Sequence, residues 1–157
     1  MSEQITPLAP RIPLGPVIQI GFVVHNAEAY ARQWTTLFDF PPPRIVDWPP
    51  REGMTATLRG VPINLRMKIA FVETGSVQLE FIQPLEPNNI YAEFLEQHGE
   101  GLHHIMFDVD DPAGIADKLG VQIIQSGSTV KPGGSWSYLG TEHLVGFPLE
   151  LRRIAPN

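Results

Sequence analysis

Apolar and polar positions along this chain change period several times. Val17 to Val24 (VIQIGFVV) is a short run rich in β-branched residues and predicts a buried strand. Asn26 is placed to cap a helix over Ala27 to Phe38, where Ala27, Tyr30, Ala31, Trp34, Leu37 and Phe38 would form one apolar stripe. Pro41, Pro42 and Pro43 forbid its continuation. From Phe40 to Pro62 proline and glycine interrupt the pattern, leaving room for one short strand near Met54 to Leu58. Leu65 to Glu73 alternates, with Leu65, Met67, Ile69 and Phe71 opposite Arg66, Lys68 and Ala70; Thr74-Gly75-Ser76 turns the chain into a return strand, Val77 to Ile82. A helix over Ile90 to Gln97 stops at Gly99.

The pattern then restarts. Leu102 to Val109 predicts a strand, Pro112 to Leu119 a helix, and Val121 to Gln125, Ser135 to Leu139 and Phe147 to Ile154 three more strands. Each half is a strand, a helix and about three strands, and such internal repetition outranks local propensity. Overlaying the halves pairs Gln19 with His104 and Glu80 with Glu150. The first interval is fifteen residues longer, an excess that Phe40 to Pro62 can house. The expected fold is α+β: two βαβββ modules, about 17–87 and 102–154, in one domain over 17–154 after an irregular Pro-rich leader at 1–16.

Composition narrows the function classes. With 157 residues, 43% hydrophobic and 18% charged, the chain can bury a core of its own. Eleven basic against seventeen acidic residues give a net charge of −6, with no Lys/Arg run, so nucleic acid is not an expected partner. Cysteine is absent, which excludes disulfides, thiolate metal sites and cysteine nucleophiles. No segment has the roughly 18 consecutive apolar residues of a membrane span, nor the run of a signal peptide, so a cytoplasmic location is the expectation.

Side chains two apart on a strand share a face. In VQLEFI, Glu80 lies opposite the apolar set Val77, Leu79 and Phe81; in HHIMFDV, His104, Met106 and Asp108 oppose His103, Ile105, Phe107 and Val109. Glu150 lies opposite Leu149 and Leu151, and Gln19 opposite Ile18, Ile20 and Phe22. Four strands thus each carry one polar group mid-strand, away from their apolar neighbours. If the halves curl together, an amide, an imidazole and two carboxylates converge. That set suits Zn, Ni, Co, Mn or Fe as divalent ions. His104 could instead be a buried histidine bonded to a carbonyl, and the two glutamates solvated strand residues. Against the latter, a lone carboxylate amid apolar runs is costly without a partner.

The segments GEGLHHIMFDVDD, VQLEFIQPLEP and GFPLEL resemble the vicinal oxygen chelate superfamily, and within it methylmalonyl-CoA epimerase and its glyoxalase-like relatives. The resemblance runs from Val17 to Ile154. It implies paired βαβββ modules cupped into an incomplete barrel, one divalent metal on Gln19, Glu80, His104 and Glu150, and a homodimer. It also implies an isomerase, epimerase or lyase whose metal chelates two neighbouring oxygens of a small oxygenated acid or acyl-CoA thioester, with an enediolate formed when a proton leaves the adjacent carbon. Glu150, or Glu80 if displaced from the metal, is the candidate base. Two departures stand out. Gln19 leaves a single histidine in the ligand set, and the second carboxylate expected of an epimerase is missing from MTATL (Met54 to Leu58), with Glu52 close by but outside the strand.

Other residues have both a functional and a plain reading. Arg66 and Lys68 could bind an anionic group if the turn after Glu73 brings them to Glu80's face; otherwise they are a solvated face. Tyr138 and His143 could line the cleft or lie on surface loops. His103 is expected to pack on the helix side, not to ligate. Gly127 to Ser135 (GSTVKPGGS) reads as a mobile cover, without the helix context of a phosphate cradle. Two further functions compete: a non-catalytic, ligand-sequestering protein of the bleomycin-resistance type, and an extradiol-type dioxygenase, whose Fe²⁺ sits on two histidines and one glutamate.

Overall fold

A computed structural model describes residues 11–157; the larger part of the Pro-rich leader, 1–10, lies outside the described residues. Ten strands form one mixed sheet, curled into a half-barrel with four helices. The first half comprises β1 (Gln19–Val23), α1 (Ala27–Leu37), β2 (Arg44–Trp48), β3 (Ala56–Leu58), β4 (Val61–Ile63), β5 (Met67–Glu73) and β6 (Gln78–Pro84). After α2 (Ile90–His98) come β7 (Gly101–Asp108), α3 (Pro112–Leu119), β8 (Ile123–Ser128), β9 (Ser135–Leu139), α4 (Glu142–Val145) and β10 (Leu149–Arg153).

The strand order is β2-β5-β6-β1-β7-β10-β9-β8-β3-β4. Leaving out the β3–β4 hairpin, this is the same four-strand arrangement twice, reflected about the antiparallel β1–β7 seam. The α+β architecture with a repeated strand–helix–three-strand unit is as the sequence predicts. One assignment inside it changes. The second strand of the first half is β2, whereas the strand near Met54 to Leu58 belongs to a hairpin that pairs with β8 of the other half, Ala56 opposite Gly127. The fifteen-residue excess therefore builds a strap across the molecule. The short β2, β4 and α4 carry too few residues to show a period.

Local chemistry explains the helix starts. Asn26, Asn89 and Asp111 each accept a backbone N–H of the first turn, from Ala29, Ala92 and Gly114. Helix α1 covers the outer face through Ala27 and Ala31, against Ala70, Val72, Leu79 and Phe81. Its apolar stripe is narrower than the sequence suggests: Tyr30, Leu37 and Phe38 are exposed and Trp34 only partly buried. Helix α3 covers the second half over Leu139 and Leu151. Helix α2 packs instead into the core on the concave side, placing Ile90 and Tyr91 with Met67, Ile69, Ile82, Trp136 and Tyr138. The outer face is thus closed by two helices, and the inner face is left to form a cleft.

Candidate metal centre

Strand register brings the cleft residues into two rows. The first runs Arg44, Phe71, Glu80, Gly21 and His104 across β2, β5, β6, β1 and β7. The second runs Gln125, Tyr138, Glu150, Met106 and Gln19 across β8, β9, β10, β7 and β1. Each row is the counterpart of the other under the internal repeat. The pairings of Gln19 with His104 and of Glu80 with Glu150 follow from backbone register.

At the centre, His104 Nε2 lies 3.2 Å from Glu80 Oε2 and 3.0 Å from Glu150 Oε2. One ligand atom from each of the three falls within 4.8 Å of the others. His104 is fully buried, and Glu80 and Glu150 are 7% and 6% exposed. Burial alone would push the His104 imidazolium down, but Glu150 and Glu80 overcome it and hold the group up to about 9. Burial, and then the neighbouring Glu150 charge, raise Glu80 above the usual carboxylate range against the pull of His104. The one proton on His104 Nε2 serves Glu80 Oε2, so Glu150 Oε2 is buried with His104 Nε2 at ion-pair distance but with no hydrogen bond of its own. A buried carboxylate oxygen left this way is expensive, and a divalent cation between the three groups would satisfy it. The nitrogen-and-oxygen donor set suits a hard-to-borderline ion. The residues present fit a metal.

Gln19 is buried beside them and lines the cleft. Its Nε2 donates to Gln78 Oε1 at 2.7 Å, and Gln78 donates in turn to Glu73. That chain leaves the Gln19 carbonyl oxygen as the atom it can offer a cation. Gly21 makes room for the imidazole: a Cβ built there would lie 1.9 Å from His104 Cε1.

His103 departs from the expected alternation. The β1–β7 register pairs Gly21 with His104 but Phe22 with Leu102, so His103 is the extra residue of a β-bulge. It packs on Tyr91, Phe94 and Tyr138 instead of joining Ile105 and Phe107, and its Nδ1 lies 3.0 Å from His104 Nδ1. Burial, then His104 and His98, hold it well below the usual histidine range. A neutral His103 can accept a hydrogen bond from His104 Nδ1–H, which leaves Nε2 facing the carboxylates, where it would ligate a cation once its own proton is displaced.

The cleft has a volume of about 490 Å³. Tyr138 lines it and is buried. Thr129, Val130 and Lys131 of the glycine-rich segment line it too. Arg66 and Lys68 do not; they share the outer face with Ala70 and lie near Glu86 and Asp47. Closing Glu73 onto Gln78 turns Met67, Ile69 and Phe71 to the cleft instead. His143, on α4, and Glu52 also lie outside the lining. The cations that do line it are Arg44, Lys131, Arg152 and Arg153; the only acids among the described lining residues are Glu80 and Glu150. Arg44 stacks over Phe71 at 4.2 Å, while Arg152 is held by two bonds to Asp108. Sequence reasoning missed Arg44 because it begins a five-residue strand directly after three prolines.

Curled sheet, internal repeat and buried triad define a class. The chain belongs to the Glyoxalase/Bleomycin resistance protein/Dioxygenase superfamily, whose sequence profile matches residues 18–134. Among solved structures it is similar to methylmalonyl-CoA epimerase from Mycobacterium tuberculosis, at 16% identity and a TM-score of 0.62, covering 98% of this chain and 94% of that one. A hypothetical protein from Bacillus halodurans C-125 gives 21% identity and a TM-score of 0.62 over 90% of this chain and 96% of the other. Streptomyces coelicolor methylmalonyl-CoA epimerase in complex with 2-nitronate-propionyl-CoA gives 19% and 0.58, over 92% and 100%. These likenesses show the vicinal oxygen chelate fold. A curated relative, the Bacillus subtilis (strain 168) protein YqjC, is 48% identical over 42 residues, which are 27% of this chain and 30% of that one.

Proposed function

We infer that the protein is a metal-dependent isomerase or epimerase that moves a proton at the carbon beside a carbonyl, in a small oxygenated acid or acyl-CoA thioester. The observation that carries this reading is the buried Glu80–His104–Glu150 cluster on the floor of a cleft lined with cations. A divalent ion bound there would polarise neighbouring substrate oxygens and spread the charge left when the proton departs. Arg44, Lys131 and Arg153 would draw an anionic substrate into a protein that is otherwise acidic. Glu150 would offer a cation one carboxylate oxygen, and its other is the base that takes the proton. The epimerase neighbours support an isomerase over a lyase, and an acyl-CoA ester as one substrate to try.

The test is proton–deuterium exchange, followed by NMR, into a panel of acyl-CoA thioesters and 2-oxygenated acids. Exchange is expected with metal-loaded wild type and a fall of about a hundredfold or more in Glu150→Gln. Metal-loaded protein that binds a panel member without exchanging its proton would favour the ligand-sequestering alternative. That alternative draws support from the lining, in which, among the described residues, no carboxylate beyond the two candidate ligands faces the cleft. Oxygen uptake with catechols would indicate a dioxygenase. A homodimer remains part of this reading, and a sizing column reads it directly.

A further inference from the structure

The two rows correspond position by position in register, and one of the differences between them places a hydroxyl beside a candidate ligand. Beside Glu80 on the neighbouring strand stands Phe71; beside Glu150 stands Tyr138. The first position offers only a ring, already covered by Arg44. The second offers a phenol. Tyr138 is 2% exposed, lines the cleft and sets its ring edge-on to His104 at 4.9 Å. Its oxygen accepts a hydrogen bond from the Tyr91 hydroxyl at 2.9 Å. Among the described residues no acceptor takes the Tyr138 proton in return, so that proton is available to a ligand beside the triad. A hydroxyl can donate one hydrogen bond while accepting another, so the bond from Tyr91 leaves the donor side of Tyr138 open.

We propose that Tyr138 is a catalytic hydrogen-bond donor to the substrate oxygen that gains charge, and that Tyr91 is the positioning residue that aims it. This rests on the proton-transfer reading above. In that reaction the C–H bond breaks, the proton goes to the Glu150 carboxylate, and the electron pair moves onto the carbonyl oxygen. Tyr138 bonds to that oxygen and keeps its own proton, so nothing else is consumed. A buried donor fixed before reaction stabilises charge without reorganising. The cleft is then directional: the carbonyl end of the substrate lies toward β9 and β10, and a remote anionic group toward Arg44 on β2.

Acetohydroxamate, with two vicinal oxygens and a negative charge, probes this without a known substrate. Co²⁺ is titrated into wild type, Tyr138→Phe and Tyr91→Phe, and the visible bands of the bound ion report both metal and hydroxamate binding. All three proteins should bind Co²⁺ alike. Hydroxamate affinity should drop about tenfold or more in Tyr138→Phe, the weight of a hydrogen bond to a charged oxygen, and by a smaller factor in Tyr91→Phe. Unchanged hydroxamate affinity in Tyr138→Phe, or a parallel loss of Co²⁺ showing a structural role alone, overturns the proposal. If Tyr138→Phe does not fold, the Tyr91→Phe affinity decides in the same way. Wild type that takes up no Co²⁺ refutes the metal reading itself, which the other outcomes leave standing.

Discussion

At the residue scale, the centre depends on one missing side chain. Gly21 has ordinary strand geometry, so conformational freedom is not its purpose; the His104 imidazole occupies the space where a Cβ would be. In Gly21→Ala the ring must move out of its position between Glu80 and Glu150. Metal affinity is expected to fall by tenfold or more, the usual scale for disturbing a ligand's support, with a loss of melting temperature. Isothermal titration and thermal denaturation check both. The His103–His104 contact makes a second, milder case. His103→Phe keeps an aromatic ring, slightly larger, but removes the acceptor for Nδ1, and should weaken metal binding without unfolding the protein. Glu80, His104 and Glu150 were legible because strand alternation is a strict rule. His103 was not, because a bulge inserts one residue and breaks that rule where no sequence signal marks it.

At the element scale, what aligns Tyr138 with Glu150 is the turn between their strands. Thr141 is fully buried there; its hydroxyl donates to the Phe147 carbonyl at 2.9 Å and accepts the Leu149 N–H at 2.9 Å. Thr141→Val keeps the shape and strands both backbone groups, so a loss of about 1–3 kcal/mol is expected in chemical denaturation. The elements themselves were largely readable. Long periodic segments such as β5, β6 and β7 and the capped helices α1 to α3 lie within a few residues of their expected limits. The short β2 and β4 were hidden among prolines, and the strap that carries β3 across to β8 is a tertiary choice that propensity cannot report. The outward-facing Leu37 and Phe38 show the same limit: a helical stripe records which positions are apolar, not how much of the stripe the sheet covers.

At the scale of the whole molecule, the repeat concentrates charge at the seam. No helix among the described residues is long and apolar enough to cross a membrane. Two half-sheets meet at β1 and β7, and the polar groups that alternate away from the helices have only the cleft to face. Without a cation, His104 is held between two carboxylates with its pKa up to about 9, against about 6.5 for an unfolded chain. A raised value in the folded state means that this group's stabilisation is complete below about 6.5 and is lost as pH rises through about 9. Metal-free protein should therefore melt at lower temperature at pH 10 than at pH 7. Since a cation must displace that proton, metal affinity should climb with pH across the same window.

Metal content measured by elemental analysis, on wild type and His104→Ala purified alike and dialysed against the same trace-metal buffer, bears most directly on the centre. Near one equivalent of a divalent transition metal in wild type, and a background level in the folded variant, is the expected result. Equal metal in both, or none in wild type even after reconstitution, would contradict a metal centre at Glu80, His104 and Glu150.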